Sequence, residues 1–378
     1  MRIGFEAKRA THNFRGLGNY SRGIIEGLSK YFPNEEFFLY SPALKDPRAF
    51  EWVKTLSSNV HLRLPQKNVE KTFKEVWRRY LVKKDLIDDN LDIFHGLSHE
   101  IPYRLGECNF KRVVTIHDLI YLRYPEFFPT IDRVVYNHKF KHACQNADMV
   151  LAICEQTKFD LMQFLNVPEY KIQVHYQSCS PTFYDKRSPK EVEDFKSKYS
   201  ISKPYILNVG AFEQRKNQLN LVDAFAMIAN EVEVDLILIG DGKDYKEQVK
   251  AKIQNLNLEN RIRILSGVSH FDLPLFYQAS NLFCFPSFFE GFGIPIVEAL
   301  FSGVPVITSL GSCFPESAGE NSIYIDPHSP SEIAQAIKSV LSNENLRMQM
   351  TNRGLDFVQK FHIKNSSEEL IKLYQFIL

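Results

Sequence analysis

Residues 282–300 read LFCFPSFFEGFGIPIVEAL and pass from a short apolar strand through a loop into a helix. The opening apolar run is typical of a strand buried on both faces of a parallel sheet. Gly291 and Gly293 allow the backbone to approach a ligand closely, and Pro295 suits the first turn of a helix. Because the loop follows the carboxyl end of the strand, we expect it where parallel sheets bind their ligands.

The same alternation of apolar strands and helical windows extends in both directions along the 378 residues. Strands are predicted at 3–5, 37–40, 60–62, 93–94, 113–116, 149–153, 205–209, 236–239, 262–265, 282–285 and 304–307. Helices are predicted at 20–31, 69–87, 133–144, 218–230, 244–254, 295–301, 331–341 and 365–378. The pattern predicts an α/β protein with two doubly wound Rossmann-like domains facing a cleft. Their predicted bounds are 1–180 and 203–361, with a linker region at 181–202 and a C-terminal helix at 362–378.

The composition excludes several classes of protein. The chain is 44% hydrophobic and 24% charged, with a formal net charge of +1, which argues against nucleic acid as the main partner. No window approaches the about 18 apolar residues of a membrane span, and the first residues do not resemble a signal peptide. The six cysteines show no C-x-x-C spacing. We therefore expect a cytoplasmic enzyme without disulfides or structural zinc.

Two carboxylates in residues 282–300 are candidate ligand-binding groups. Glu290 lies in the loop before the helix, and Glu298 lies inside the helix among apolar neighbours. A buried carboxylate needs hydrogen-bond donors, which ribose or sugar hydroxyls would supply, and the start of the helix suits an anion such as a diphosphate. Either acid alone could be a solvated surface group, but together with the glycines they favour a ligand site.

A second strand–loop–helix passage, residues 208–217, reads NVGAFEQRKN. Arg215 and Lys216 are adjacent at the predicted start of a helix, where the helix dipole disfavours cations. Their position therefore indicates an anionic partner, which Arg would bind as a fork and Lys as a point charge. The alternative is a pair of solvated basic residues.

The first half offers weaker candidates. Residues 14–20, FRGLGNY, predict a glycine loop whose N–H groups could bind phosphate, although the spacing is not G-x-G-x-x-G. His117 follows a buried strand, where a neutral imidazole could bind a substrate hydroxyl or serve only the structure. His95 and His99 lack the further ligands of a zinc site, and the chain has no D-x-D pair. We predict no metal and no cofactor.

The first half also carries an excess of basic charge. Residues 1–180 contain 26 Lys+Arg against 21 Asp+Glu, and six of the basic residues lie within 71–84 beside aromatic side chains. This pattern predicts a basic amphipathic helix. Such a helix could lie on an anionic membrane surface, or its apolar stripe could pack on its own sheet.

The stretch from Glu290 to Glu298 resembles the E-x7-E motif of retaining glycosyltransferases of the GT-B fold, the glycosyl transferases group 1 (family four). The likeness covers nearly the whole chain and includes the glycine loop, the strand-end histidine and residues 208–217, 240–242, 315–316 and 326–327. It implies that 1–180 is the acceptor side, that 203–361 binds a nucleotide sugar, and that the C-terminal helix packs back on the first domain.

The resemblance also implies roles for residues of the second half. Glu290 would contact the donor sugar near its reacting carbon, Glu298 the ribose, and Lys216 the diphosphate. The amides around sugar and phosphate would be those of Gly291, Phe292, Gly293 and Ile294. Gly210 would belong to the loop that binds the diphosphate, and the nucleotide base would lie near Val268.

Further implied contacts come from the first half, where His117 matches a histidine beside the donor sugar, and Gly16 and Gly18 match a loop that closes on the donor. Many members carry Arg where this chain has Ala211. A subset resembling bacterial mannosyltransferases has the R-K-N form of residues 215–217, so Arg215 could supply that charge. Residues 115–119 and 124–126 also resemble this subset, which favours GDP-mannose.

The implied activity is metal-independent transfer of a hexosyl group, with retention, from a nucleotide sugar to a glycan or lipid-linked acceptor in cell-surface polysaccharide assembly. Peripheral contact with the inner face of the plasma membrane is a further hypothesis. The alternatives are a catalytically inactive nucleotide-sugar-binding GT-B protein, a GT-B epimerase or phosphorylase, and an NAD-binding Rossmann enzyme.

Overall fold

The computed structural model describes residues 1–378, apart from the side chain of Val69. The chain forms two compact units: unit 1 comprises Met1–Cys179 and Phe361–Leu378, and unit 2 comprises Ser180–Lys360. Each unit is built on one parallel β-sheet with helices between the strands. The prediction of two doubly wound α/β domains is confirmed.

Unit 1 is built on seven strands. They are Arg2–Glu6 (β1), Glu36–Tyr40 (β2), Val60–Arg63 (β3), Ile93–Gly96 (β4), Lys111–Ile116 (β5), Met149–Ala152 (β6) and Ile172–Val174 (β7). Its helices are Lys8–His12 (α1), Gly16–Tyr31 (α2), Pro47–Lys54 (α3), Asn68–Thr72 (α4), Lys74–Val76 (α5), Lys83–Asp88 (α6), Ile120–Arg123 (α7), Thr130–Asn146 (α8) and Glu155–Leu165 (α9). The sheet order β3-β2-β1-β4-β5-β6-β7 reverses between β1 and β4, where doubly wound sheets open a crevice.

Unit 2 repeats this plan with six strands. They are Tyr205–Val209 (β8), Asp235–Ile239 (β9), Ile262–Leu265 (β10), Leu282–Phe285 (β11), Val306–Ser309 (β12) and Ile323–Ile325 (β13). Its helices are Pro189–Lys198 (α10), Gln218–Ile228 (α11), Asp244–Asn255 (α12), Leu273–Gln278 (α13), Ile294–Phe301 (α14), Phe314–Ala318 (α15), Pro330–Ser342 (α16) and Glu344–Val358 (α17). In the order β10-β9-β8-β11-β12-β13, the reversal lies between β8 and β11.

The strands are apolar on both faces because helices cover both faces of each sheet. In β2, Phe37 packs into one core of unit 1 with Trp52, whereas the next residue, Phe38, packs into another with Trp77. Such strands read as continuous apolar runs rather than as alternating ones. This explains why sequence alone located most of them.

The last helix, Ile363–Ile377 (α18), belongs to unit 1 and packs against α2. A Cβ atom on Gly27 of α2 would lie 2.4 Å from Ser367 Oγ of α18, so only glycine permits this close approach. On the same face Leu370, Ile371 and Tyr374 enter the core of unit 1. The amphipathic pattern at the end of the chain reflects this burial.

The segment 69–87, predicted to be helical, is helical along nearly its whole length but forms several short segments rather than one continuous helix. The chain forms α4, α5, a π-helical turn at Trp77–Leu81 and then α6. Trp77 and Arg78 are neighbours and are both buried; Arg78 reaches Glu6 at 3.1 Å and Glu100 at 3.3 Å.

The sequence patterns also left further elements unpredicted, which are the helices α1, α3, α7, α9, α13, α15 and α17, two edge strands and α10. The edge strands β7 and β13 contain only three residues each, too few to show a period. In the segment predicted as a linker region, residues 181–202, helix α10 begins at a Ser188–Glu191 capping box. Its Phe195 packs edge-on against Phe276 of unit 2, with ring centroids 4.7 Å apart. A single buried aromatic in a charged helix carried too little apolar periodicity to be recognised.

Candidate active site

The loop between β11 and α14 is held in place by hydroxyl groups from β12. Thr308 Oγ1 donates to Phe285 O at 2.9 Å, and Ser309 Oγ donates to Ser287 O at 2.6 Å. Gly293 precedes α14 in the left-handed region, with φ of 86°, which disfavours any other residue. The loop is therefore a defined structure that presents its side chains at the carboxyl end of β11.

Glu290 occupies this loop and is held between two cations. One carboxylate oxygen, Oε1, lies 2.6 Å from Lys216 Nζ, and the other, Oε2, lies 2.7 Å from Arg215 Nη1. Arg215 also donates to Phe289 O at 2.7 Å and lies 3.3 Å from Glu213. The anionic partner that the position of the two cations indicated is thus, in this structure, a carboxylate of the chain itself.

The protonation of this group follows from the arrangement. Burial alone would raise the pKa of Glu290, but Arg215 and Lys216 outweigh it and lower the pKa to about 2. Burial lowers the pKa of Lys216, and Glu290 opposes this effect. At neutral pH we expect Glu290 to be ionised, which makes it a weak base.

The segment that carries Lys216 is fixed by asparagine side chains. Asn217, in the left-handed region with φ of 61°, donates from Nδ2 to Pro286 O at 3.0 Å and to Pro327 O at 2.7 Å. Asn208 of β8 donates to Cys284 O of β11 at 2.8 Å. These bonds join the two strand–loop–helix passages into one site, although Asn217 and Pro286 are 69 positions apart along the chain, and Asn208 and Cys284 are 76 positions apart.

Gly210 follows β8 and lies against a second glycine turn. A Cβ atom on Gly240 would lie only 1.9 Å from Gly210 O, so the turn after β9 needs glycine to pack here. After β10, Gly267 has φ of +65° and Val268 is partly buried. The segments predicted to line the phosphate and the nucleotide base thus follow β8 and β10, which lie on either side of β9, at the carboxyl ends of these strands.

Glu298 lies within α14, one turn beyond its start, and is partly exposed. Its Oε2 accepts a hydrogen bond from the Tyr277 hydroxyl at 2.9 Å. Burial raises the pKa of Glu298 to about 7, and the hydrogen bond opposes part of this rise. The sequence predicted that this carboxylate needs donors, and Tyr277 provides one of them.

In unit 1, His117 follows β5 and is 4% exposed. Its Nε2 donates to Leu97 O at 2.9 Å, and its Nδ1 lies 2.7 Å from the Gln177 Nε2 donor. A carbonyl only accepts, so the proton is on Nε2. Burial lowers the pKa of His117 to about 4. Both ring nitrogens therefore have partners within unit 1, which the sequence did not predict.

Gly16 and Gly18 do not form a loop; they lie in the first turn of α2. A Cβ atom on Gly18 would lie 1.6 Å from Asn13 O, whereas one on Gly16 would meet nothing within 4 Å. Gly18 is needed for the packing of α2 on the preceding turn. The predicted glycine loop is corrected accordingly: only Gly16 lies open at the start of the helix.

Sequence reasoning missed Tyr277, Asn217 and Gln177. Tyr277 and Gln177 are far from their partners along the chain, and no local pattern marks them. The signal for Asn217 was present, because Asn tolerates the left-handed conformation that precedes α11. Among the described side chains, no group of three or more His, Cys, Asp or Glu is arranged to hold a metal ion.

Comparisons with known proteins agree with this architecture. A family model described as Glycosyltransferase Family 4 matches residues 15–178, and one described as Glycosyl transferases group 1 matches residues 189–357. The first covers most of unit 1, and the second contains every candidate residue of unit 2.

Two relatives of known sequence are both described as O-antigen chain mannosyltransferases. The chain is 29% identical to O-antigen chain mannosyltransferase B of Escherichia coli, over 100% of both chains. It is 27% identical to O-antigen chain mannosyltransferase RfbU of Salmonella typhimurium, over 61% of each chain.

Solved structures show the same fold. Anabaena Alr3699/HepE in complex with UDP-glucose matches with a TM-score of 0.79 at 19% identity, over 100% of both chains. No helix among the described residues is both long and apolar enough to cross a bilayer.

Proposed function

Since the chain belongs to the glycosyltransferases of group 1 and has the GT-B fold, we propose that it transfers a mannosyl group from GDP-mannose to a glycan hydroxyl, with retention of configuration. The observation that carries the proposal is the buried Lys216–Glu290–Arg215 cluster at the carboxyl end of β11. The full-length similarity to a mannosyltransferase supports the choice of sugar. Related structures in complex with UDP or UDP-glucose support a nucleotide-sugar donor.

The cluster suits a departing diphosphate. Arg215 and Lys216 contribute two positive charges against the single negative charge of Glu290. When the donor binds, its diphosphate would accept hydrogen bonds from Arg215 and Lys216 in place of some of their contacts with Glu290. The backbone amides of residues 291–294, at the start of α14, would be further donors. Fixed cations and dipoles in a dry site stabilise developing charge without a metal. The carboxylate of Glu298 would bind the ribose hydroxyls and keep its hydrogen bond from the Tyr277 hydroxyl.

The contacts of Glu290 also indicate how the configuration of the sugar would be retained. Double displacement with retention needs a carboxylate that attacks the anomeric carbon. Glu290 is a poor nucleophile because two cations neutralise its charge. We therefore infer a same-face reaction, in which the leaving phosphate accepts the proton of the acceptor hydroxyl. Glu290 would orient the sugar through its hydroxyl groups.

A donor screen tests the proposal directly. Purified protein is offered GDP-mannose and matched GDP-, UDP-, dTDP- and ADP-sugars, and release of the nucleoside diphosphate is measured with and without EDTA. We expect GDP-mannose to be consumed fastest, at a rate that EDTA leaves unchanged. NMR of the product should show the anomeric configuration of the donor.

Other outcomes would identify the alternatives. Binding of nucleotide sugar without any turnover would indicate an inactive binding protein. Conversion of one nucleotide sugar into its epimer would indicate an epimerase. Faster use of a UDP-sugar would overturn the assignment of GDP-mannose and leave the transferase assignment in place.

We also propose that unit 1 rests on an anionic membrane through an aromatic–basic surface. This surface comprises exposed apolar residues of two segments, which are Phe73, Val76, Tyr80 and Leu81, and Ile131, Val134 and Val135 of α8. Tyr103 joins the segments, because its ring stacks on Tyr80 at 5.2 Å and on His142 of α8 at 4.0 Å.

Charge complementarity points to an anionic lipid bilayer as the occupant. Exposed Lys71, Lys84 and Lys141 lie in the segments that carry the apolar side chains. Basic side chains near a membrane attract anionic lipid by about 1 kcal/mol each, and apolar side chains add burial in the interface. A lipid-linked acceptor would then be presented beside unit 1.

Vesicle sedimentation tests this contact. The wild type should sediment with vesicles that contain phosphatidylglycerol but not with phosphatidylcholine alone. The pair Phe73→Ser and Lys84→Glu should abolish sedimentation. The control pair Phe376→Ser and Lys364→Glu, exposed on α18, should not. Equal sedimentation of both double variants would overturn the proposed surface.

A further inference from the structure

An unbroken chain of buried hydrogen bonds crosses unit 1 from the C-terminal helix to the neighbourhood of His117. The Tyr374 hydroxyl of α18 lies 2.6 Å from His95 Nδ1, and His95 Nε2 lies 2.8 Å from Thr115 Oγ1 of β5. Thr115 Oγ1 lies 3.1 Å from the hydroxyl of Tyr20 in α2. All four side chains are buried, and Tyr374 and His95 are fully excluded from solvent.

The last member of this chain touches His117. The rings of Tyr20 and His117 meet edge to face at right angles, with centroids 4.6 Å apart. His117 is also held by hydrogen bonds with Leu97 O and Gln177, and its ring meets the ring of His99 edge to face with centroids 5.0 Å apart. Tyr20 lies one turn after Gly16 at the start of α2. The hydrogen bonds therefore end beside two residues that the family resemblance places near the donor, Gly16 and His117.

The bonds depend on one another. A neutral imidazole donates at one nitrogen and accepts at the other, so the hydroxyls of Tyr374 and Thr115 take opposite roles toward His95. Removing one hydroxyl leaves its neighbour buried without a partner, and the remaining groups must reorient. The position of α18 is thereby coupled to the orientation of the Tyr20 ring.

We propose that Tyr374 is a positioning residue for His117: through His95, Thr115 and Tyr20, the C-terminal helix sets the orientation of the His117 ring. The expected effect on catalysis rests on the proposed function and on the contact with the donor sugar that the family resemblance implies for His117. The coupling itself is a property of unit 1. It gives α18 a role in the reaction, although none of its residues need touch a substrate.

The decisive variant is Tyr374→Phe, which removes one hydroxyl and retains the ring. We expect kcat/KM for the donor to fall about tenfold and the ring-nitrogen NMR shifts of His117 to change, because small misplacements at a reacting centre are costly. The matched control is Ser367→Ala, also buried on α18, whose hydroxyl bonds only to Ile363 O of its own helix. It should leave both readouts within about twofold of wild type.

A second pair of variants examines the middle of the chain. Thr115→Val removes the hydroxyl at nearly constant shape and should resemble Tyr374→Phe, whereas Thr115→Ser retains the hydroxyl and should preserve activity. Because one break already interrupts the chain, the double variant Tyr374→Phe/Thr115→Val should lose little more than either single variant.

Several outcomes would overturn the coupling. One is that Tyr374→Phe and Thr115→Val lower the melting temperature but leave the His117 shifts and kcat/KM at the level of Ser367→Ala. Another is strictly additive losses in the double variant. If the wild type transfers no sugar at all, the proposed function fails, whereas the His117 shifts of the same variants still decide whether the coupling exists.

Discussion

The two units place a candidate group directly after a central strand, but they hold it by different means. In unit 2, Glu290 is fixed by the opposite charges of Arg215 and Lys216, both within 2.7 Å. In unit 1, His117 is fixed by neutral hydrogen bonds to Leu97 O and Gln177. Unit 2 therefore holds charges that a diphosphate can rearrange, whereas unit 1 holds an uncharged, preoriented ring. This difference fits the proposed function, in which the anionic diphosphate of the donor would bind to unit 2.

The largest expected effect comes from removing one of the two cations that bind Glu290 in unit 2. Lys216→Ala removes one cation from the diphosphate and leaves Glu290 with Arg215 alone. We expect kcat to fall about 100- to 1000-fold, the usual cost of one charge-stabilising donor. Lys250→Ala, an exposed lysine of α12 paired with Glu247, serves as the control and should retain full activity. A Lys216→Ala enzyme with near-native kcat would remove that side chain from the mechanism.

The next effect separates packing from ligand binding at the start of α2. Gly18→Ala places a methyl group against Asn13 O, so the backbone must move, and we expect a loss of about 3 kcal/mol in the free energy of unfolding. Gly16→Ala meets open space and should be neutral or stabilising by up to about 1 kcal/mol. Urea unfolding measures both, and equal effects would contradict the packing role of Gly18.

A third prediction concerns the pH dependence of unit 2. The folded state raises the pKa of Glu298 from 4.5 to about 7, so it favours the protonated form. The stability from this group is present below about pH 4.5 and is lost as the pH rises toward 7. The free energy of unfolding of Glu298→Gln should therefore exceed that of the wild type by about 3 kcal/mol at about pH 8 and by much less at about pH 4.5. A difference independent of pH would show that the pKa of Glu298 is ordinary.

The smallest expected effect concerns the neutral hydrogen bond between Gln177 and His117 in unit 1. Gln177→Leu leaves His117 Nδ1 buried without a donor, which should cost about 1–2 kcal/mol of stability. Gln163→Leu, at an exposed position of α9, is the control and should change the stability by less than about 0.5 kcal/mol. Thermal unfolding of both variants suffices. If Gln177→Leu proves neutral, the ring of His117 is held by other contacts.

The sequence patterns predicted the parallel sheets well because buried strands such as β8 and β11 are apolar throughout. The sequence patterns failed to predict segments whose buried residues do not recur at the period of a helix or a strand. The π-helical turn at Trp77–Leu81 buries two neighbouring residues, and Arg78 is buried only because Glu6 and Glu100 neutralise it. Helix α10 was missed because it presents a single buried aromatic, Phe195.

The candidate site was predictable in its members but not in its contacts. Arg215, Lys216 and Glu290 each follow a strand, which a local pattern reveals. The sequence could not reveal that Glu290 itself binds both cations, or that Tyr277 donates to Glu298. These pairs join residues 74, 75 and 21 positions apart along the chain, and only the arrangement of the sheet brings them together.

By itself the sequence determined the two α/β domains, the strand–loop–helix passages and the kinds of side chain at their ends, because hydrophobic periodicity and turn chemistry act over a few residues. The tertiary structure alone decided which charges neutralise one another, which way the His117 ring is protonated, and that Gly18 is required for packing. Those properties depend on distances between segments remote in sequence, and a buried group takes its charge state from the neighbours that folding places beside it.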